Sequence, residues 1–95
     1  MAPRRPICIA FVGAGFIADA YRFCLDQHRP LLRLAGAWDR DRARLESFAS
    51  TFGERAFDSL EQLLEDPEID LVVNLTDPQA HLELGRRILA ANKNL

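Results

Sequence analysis

Ile7-Cys8-Ile9-Ala10-Phe11-Val12-Gly13-Ala14-Gly15-Phe16-Ile17-Ala18 decides how this chain folds. An apolar run of strand length delivers two glycines, one residue apart, to the mouth of a helix-forming segment. Gly13 lets the chain turn sharply out of a buried strand, and Gly15 lets another group approach the backbone with no Cβ in the way. Ala18 lets the helix lie close against a sheet. The helix then presents unpaired N–H groups and the positive end of its dipole, which suits an anion such as a pyrophosphate. Small residues at this spacing also make a plain strand-to-helix turn, so the flanking sequence has to decide.

The second apolar segment, residues 31–38, ends in Asp39, about 20 residues beyond the Gly-rich turn. A carboxylate there accepts hydrogen bonds from both hydroxyls of an adenosine ribose and repels a 2′-phosphate. The alternative role is a plain helix-capping acid. Strand, Gly-rich turn, helix, strand and terminal acid together predict a dinucleotide site that takes NAD, with NADP as the alternative. Arg40 could stack on the adenine, pair with a 2′-phosphate or stay a solvated charge.

Periodicity and punctuation predict an α/β fold. A lead-in at residues 1–6 precedes a strand at 7–12 and a helix at 16–27, whose Ile17, Ala20, Tyr21, Cys24 and Leu25 are spaced for one buried face. Pro30 enforces its end. A strand follows at 33–38, then a helix with Asp41 as N-cap and Gly53 at its C-terminal stop. A short edge strand is expected at 55–57. Asp58-x-x-Glu61 and Ser59-x-x-Gln62 both read as capping boxes for a third helix, closed by Asp66-Pro67.

Residues 70–75 read as a strand because Leu71, Val72 and Val73 form a continuous apolar run, as in a strand covered on both faces. A last helix at 79–91 packs through Leu82, Leu84, Ile88 and Leu89, and Lys93 begins another strand. Right-handed crossovers then give a doubly wound parallel sheet (Rossmann) with predicted strands ordered 3-2-1-4, truncated before a fifth. Ligands bind such sheets outside the carboxyl ends of the strands, where the winding reverses. Three turns meet on that edge. The first contributes Gly13, Gly15, Phe16 and Ile17, the second Asp39 and Arg40, and the third Thr76, Pro78 and His81. Thr76 either contacts the nicotinamide side or only ends a strand. His81 either donates a hydrogen bond on the cofactor edge or serves as a capping or packing group in the first helical turn.

Composition narrows the partners. Ninety-five residues suit one domain, and twelve basic residues are interspersed with fourteen acids for a net charge of −2, so no basic stripe forms for nucleic acid. No stretch approaches the roughly 18 apolar residues of a membrane span, and no signal-peptide pattern opens the chain, which implies a cytoplasmic protein. Cys8 and Cys24 match no metal or disulfide pattern and are expected as buried packing residues. Tyr21, Phe23, Phe48, Phe52 and Phe57 are expected to pack as well.

Several segments carry a family resemblance: Gly13 to Ala18, Ala37-Trp38-Asp39, Asp58 to Leu64, Asp66-Pro67-Glu68-Ile69-Asp70, and Asn74-Leu75-Thr76-Asp77-Pro78-Gln79-Ala80-His81. Over residues 7–95 the chain resembles the nucleotide-binding domain of the glucose-fructose oxidoreductase, inositol dehydrogenase and rhizopine-catabolism (Gfo/Idh/MocA) family. It departs at Tyr21, often histidine in the family, and at Asp77-Pro78. The resemblance implies an NAD(P)-dependent oxidoreductase moving hydride between a nicotinamide and a carbinol carbon of a sugar or cyclitol. It also implies that the catalytic lysine motif and a C-terminal domain, with substrate pocket and oligomer interface, follow residue 95. On that reading this piece binds cofactor without turnover, and neither a catalytic residue nor a metal ligand is assigned within it. The competing readings are a stand-alone NAD(H)-sensing module and a domain for another adenine-containing ligand, such as coenzyme A.

Overall fold

A strand buried on both faces anchors the structure, a computed structural model that describes residues 6–28, 31–76 and 78–91. The elements are β1 (Ile7–Val12), α1 (Phe16–Asp26), β2 (Leu32–Trp38), α2 (Arg42–Phe52), α3 (Leu60–Glu65), β3 (Leu71–Asn74) and α4 (Pro78–Ala90). Residues 1–5 of the expected lead-in at 1–6, the break at Pro30, Asp77, and the strand start at Lys93 lie outside the described residues. So do the side chains of Phe16 and Pro78.

β1 pairs in parallel with both neighbours, giving the order β2-β1-β3. Its side chains alternate between two cores, as the pleat requires. Cys8, Ala10 and Val12 join Leu60, Leu63, Val72, Leu84 and Ile88 beneath α3 and α4. Ile9 and Phe11 join Ala14, Ala18, Leu45 and Phe48 beneath α1 and α2. Two helices on each side make the sheet doubly wound. Backbone and side chain of Asp70 close the start of β3 onto β1, through Asp70 N–H to the Cys8 carbonyl at 2.8 Å and Cys8 N–H to the carboxylate at 2.9 Å.

The expected edge strand at 55–57 shrinks to one parallel bridge, Ala37 with Ala56, so the segment order is retained with its outer member almost lost. β2 causes this. Its register with β1 slips between Ile9 and Ala10, leaving Ala35 as an extra residue. At Gly36, a built Cβ would lie 2.6 Å from the Arg55 carbonyl oxygen and 2.9 Å from the Phe57 ring. Residues 55–57 therefore press onto β2 through Gly36 and make only two ladder bonds, both to Ala37.

The caps form as their residue types dictate. The Asp41 side chain accepts from Arg44 N–H, and Gly53 ends α2 in the left-handed region. Ser59 Oγ accepts from Gln62 N–H, while Gln62 Oε1 accepts from Asp58 N–H.

The expected packing face of α1 is overturned. Ile17 is 57% exposed and Phe23 65%, and Ala20 and Cys24 are exposed too, while Tyr21, 47% exposed, packs in part through a T-shaped contact with the Phe11 ring at 6.3 Å. The helix turns a different stripe to the sheet: Ala14 just before it, then Ala18, Arg22 and Leu25. Small residues there let the helix approach closely. Arg22 lays its stem along the core and stacks over Phe52 at 5.2 Å while its guanidinium reaches Glu54 and Asp26. In α4, Leu84 and Ile88 are buried as expected, but Leu82 and Leu89 face outward.

Candidate functional site

The Gly-rich turn is wedged between the ends of β2 and β3. Gly13 N–H donates to the Trp38 carbonyl at 2.7 Å, and Leu75 N–H donates to the Val12 carbonyl at 2.7 Å. Gly13 has φ 105°, and a built Cβ would stand 2.8 Å from the Leu75 carbonyl carbon. Only glycine fits there, for the fold's own sake.

Gly15 differs. It is the N-cap of α1 at φ −83° and ψ −161°, a conformation open to any L-residue. A Cβ there would meet only the flexible Arg44 side chain, at ordinary contact distances from 3.5 Å. The protein's own packing therefore does not explain why this residue lacks a side chain. Beyond it, the first N–H groups of α1 have no acceptor within the helix.

Asp39 ends β2 with a side chain only 8% exposed. One carboxylate oxygen accepts from Ala14 N–H at 2.8 Å and the other from Asp41 N–H at 2.7 Å. The acid thus latches the Gly-rich turn to the start of α2, and Arg44 stands 3.9 Å from it. Gly13, Asp39, Arg40 and Thr76 converge on one cleft of about 220 Å³, whose walls include Trp38 and Arg44. Gly15 borders a second cleft, between α1 and α2, that shares Arg44 with the first. Ile17 and His81 line neither cleft, and both residues are exposed. Among the described residues, no group of three or more His, Cys, Asp or Glu side chains could hold a metal ion. No described helix is long and apolar enough to cross a membrane.

Two participants escaped the sequence reading. Arg44 divides the clefts because Asp41, by capping α2, places residue 44 on the first helical turn facing the glycines; the cap was legible, the direction was not. Asn74 closes β3 and bonds with both ends of its amide. Its Oδ1 accepts from the Thr76 hydroxyl at 2.6 Å and from Thr76 N–H at 3.2 Å, while Nδ2 donates to the His81 carbonyl at 3.0 Å. The available signal was a polar residue closing the apolar run Leu71-Val72-Val73.

Residues 7–95 match the Gfo/Idh/MocA family model, described as an oxidoreductase family with an NAD-binding Rossmann fold. The chain is 34% identical over 87 residues to L-aspartate dehydrogenase of Methanothermobacter thermautotrophicus, covering 92% of this chain and 33% of that protein. GenD2 from gentamicin A biosynthesis, solved in complex with NAD, superposes with a TM-score of 0.84 at 27% identity over 99% of this chain and 28% of its own. Biliverdin reductase from Synechocystis, solved with biliverdin and NADP+, gives 0.81 at 34% identity over 93% of this chain and 28% of its own. The chain thus spans about a third or less of the length of these relatives.

Proposed function

The chain belongs to the Gfo/Idh/MocA oxidoreductase family, whose matching region is an NAD-binding Rossmann domain, and from that premise we propose how its three turns hold the dinucleotide. Gly15 and the backbone N–H groups of Phe16 and Ile17 face the pyrophosphate, with Gly13 setting the turn that aims them. Asp39 accepts from the adenosine ribose and disfavours a 2′-phosphate, which selects NAD over NADP. Arg40 takes the adenine side. Thr76, followed by Pro78 and His81, borders the nicotinamide half.

The observation that carries this reading is Gly15. Backbone conformation and packing both leave room for a side chain there, so its absence is explained by something approaching from outside. When bound, the nicotinamide supplies the hydride acceptor or donor. This chain's residues orient it, and we assign none of them a catalytic role. In the whole protein, we propose, hydride passes between the nicotinamide and a carbinol carbon of a sugar or cyclitol-like molecule, the reading that the family resemblance of the sequence implies. The 34% identity to an L-aspartate dehydrogenase favours a second reading, an amine-bearing carbon.

The test is a titration with NADH and NADPH followed through Trp38, which lines the cleft. We expect saturable NADH binding tighter than NADPH binding. Gly15→Val should weaken NADH by at least about tenfold while leaving stability within about 1 kcal/mol. A folded chain that binds neither nucleotide, or a Gly15→Val variant that binds like the parent, overturns the assignment.

A further inference from the structure

Asn74 sets the hydrogen-bonding polarity of the cleft wall. The residue sits at the end of β3, in register with Val12, one position before the Gly-rich turn on the neighbouring strand. Its amide orientation is fixed by its partners. Thr76 N–H can only donate, so the atom 3.2 Å away is the amide oxygen, and the His81 carbonyl can only accept, so the atom 3.0 Å from it is the amide nitrogen. With both ends engaged, the amide cannot flip without setting donor against donor and acceptor against acceptor.

The consequence falls on Thr76. A threonine hydroxyl carries one proton, and at 2.6 Å that proton is committed to Asn74 Oδ1, because an amide oxygen has none to offer in return. Towards the cleft the hydroxyl oxygen can therefore only accept. We propose that Asn74 is a positioning residue that makes Thr76 an obligate acceptor for a donor on the nicotinamide half of the dinucleotide, its terminal ribose hydroxyl. The same amide ties the first turn of α4 to β3, so the acceptor is held at a fixed distance from the Gly-rich turn. This rests on the dinucleotide reading above and adds to it the sense of one hydrogen bond and the residue that dictates it.

Three ligands separate the halves of the cofactor: NADH, ADP-ribose, which keeps the terminal ribose but lacks nicotinamide, and ADP, which lacks both. In the wild-type chain all three should bind. Asn74→Leu should weaken NADH and ADP-ribose by about tenfold, the worth of one good hydrogen bond, and leave ADP within about twofold. Asn74→Asp keeps the acceptor for both Thr76 donors but turns a carboxylate oxygen towards the His81 carbonyl, so it should recover ADP-ribose binding in part, to within about fivefold of the parent. In a Thr76→Val background, Asn74→Leu should have no further effect on ADP-ribose.

A merely structural role predicts otherwise: ADP and ADP-ribose falling together, no rescue by aspartate, and additive losses in the double variant. Any of these overturns the inference while leaving the dinucleotide reading intact, as does an Asn74→Leu variant that binds ADP-ribose like the parent. A folded wild-type chain that binds none of the three overturns both.

Discussion

The two faces of the sheet are built on different terms. Under α3 and α4, mostly aliphatic side chains with the single ring of Phe57 fill a continuous core in which Leu60, Leu63, Val72, Leu84 and Ile88 are all essentially inaccessible. Under α1 and α2, rings and small residues join Ile9 and Leu45. Phe11 meets Phe48 at 6.1 Å, Phe48 meets Phe52 at 5.2 Å, and Ala14 and Ala18 let α1 lie close. The price of that closeness is visible on the outer side of α1, where Ile17 and Phe23 remain exposed. One face is optimised for burial, the other for bringing a helix N-terminus to the sheet edge. Stability should therefore be concentrated beneath α3 and α4, while substitutions on the outer stripe of α1 should cost little.

The strongest way to break this contrast is Gly13→Ala, which damages both faces at their shared turn. A positive φ and a backbone clash at 2.8 Å act together, and we expect a loss of about 4 kcal/mol, read by urea unfolding. A loss below about 1 kcal/mol would show that the turn can shift away from Leu75. Next comes Leu63→Ala, which opens a cavity in the aliphatic face and should cost about 3 kcal/mol.

A pH titration of stability sharpens the comparison, because Cys8 lies in the same aliphatic core. Burial pushes its thiol above the ordinary value of 9.0, with nearby Arg33 opposing and Asp70 adding to the rise. The unfolded thiol then ionises before the folded one. Its contribution is fully present below about pH 9 and is lost as pH rises through the folded value. Cys8→Ala should show a shallower alkaline loss of stability than the parent; equal slopes would assign the loss to other groups. The smallest effect belongs to Phe23→Ser on the outer stripe of α1, expected within about 0.5 kcal/mol. A loss of 2 kcal/mol or more would erase the distinction between the faces.

What could be read from the sequence was what is chemically local. Gly13, the Asp41 and Ser59 caps and the Gly53 stop each depend on a few neighbouring residues, and each forms where its residue type requires. Asp39 was legible too, because a strand end fixes its place on the sheet edge. The inward stripe of α1 was not. Periodicity detects the apolar row Ile17, Tyr21 and Cys24 but not that close helix-to-sheet approach selects the row Ala14, Ala18 and Arg22. The short edge strand expected at 55–57 reduces to one bridge because the slip in β2 is a property of pairing with β1. Arg44 and Asn74 were missed for a related reason, since their roles arise from partners across a helix crossing or a turn.

The latch at Asp39 carries an evolutionary implication. Its two oxygens accept from Ala14 N–H and Asp41 N–H, so on the reading proposed above one carboxylate serves both chain order and nucleotide choice. A lineage that replaced it to admit an extra phosphate would leave two backbone donors without their partner, costing about 1–3 kcal/mol for each that stays buried. Relaxed cofactor preference at this position is therefore reached most easily after a compensating stabilisation elsewhere, and the obvious place to accumulate it is the aliphatic face under α3 and α4.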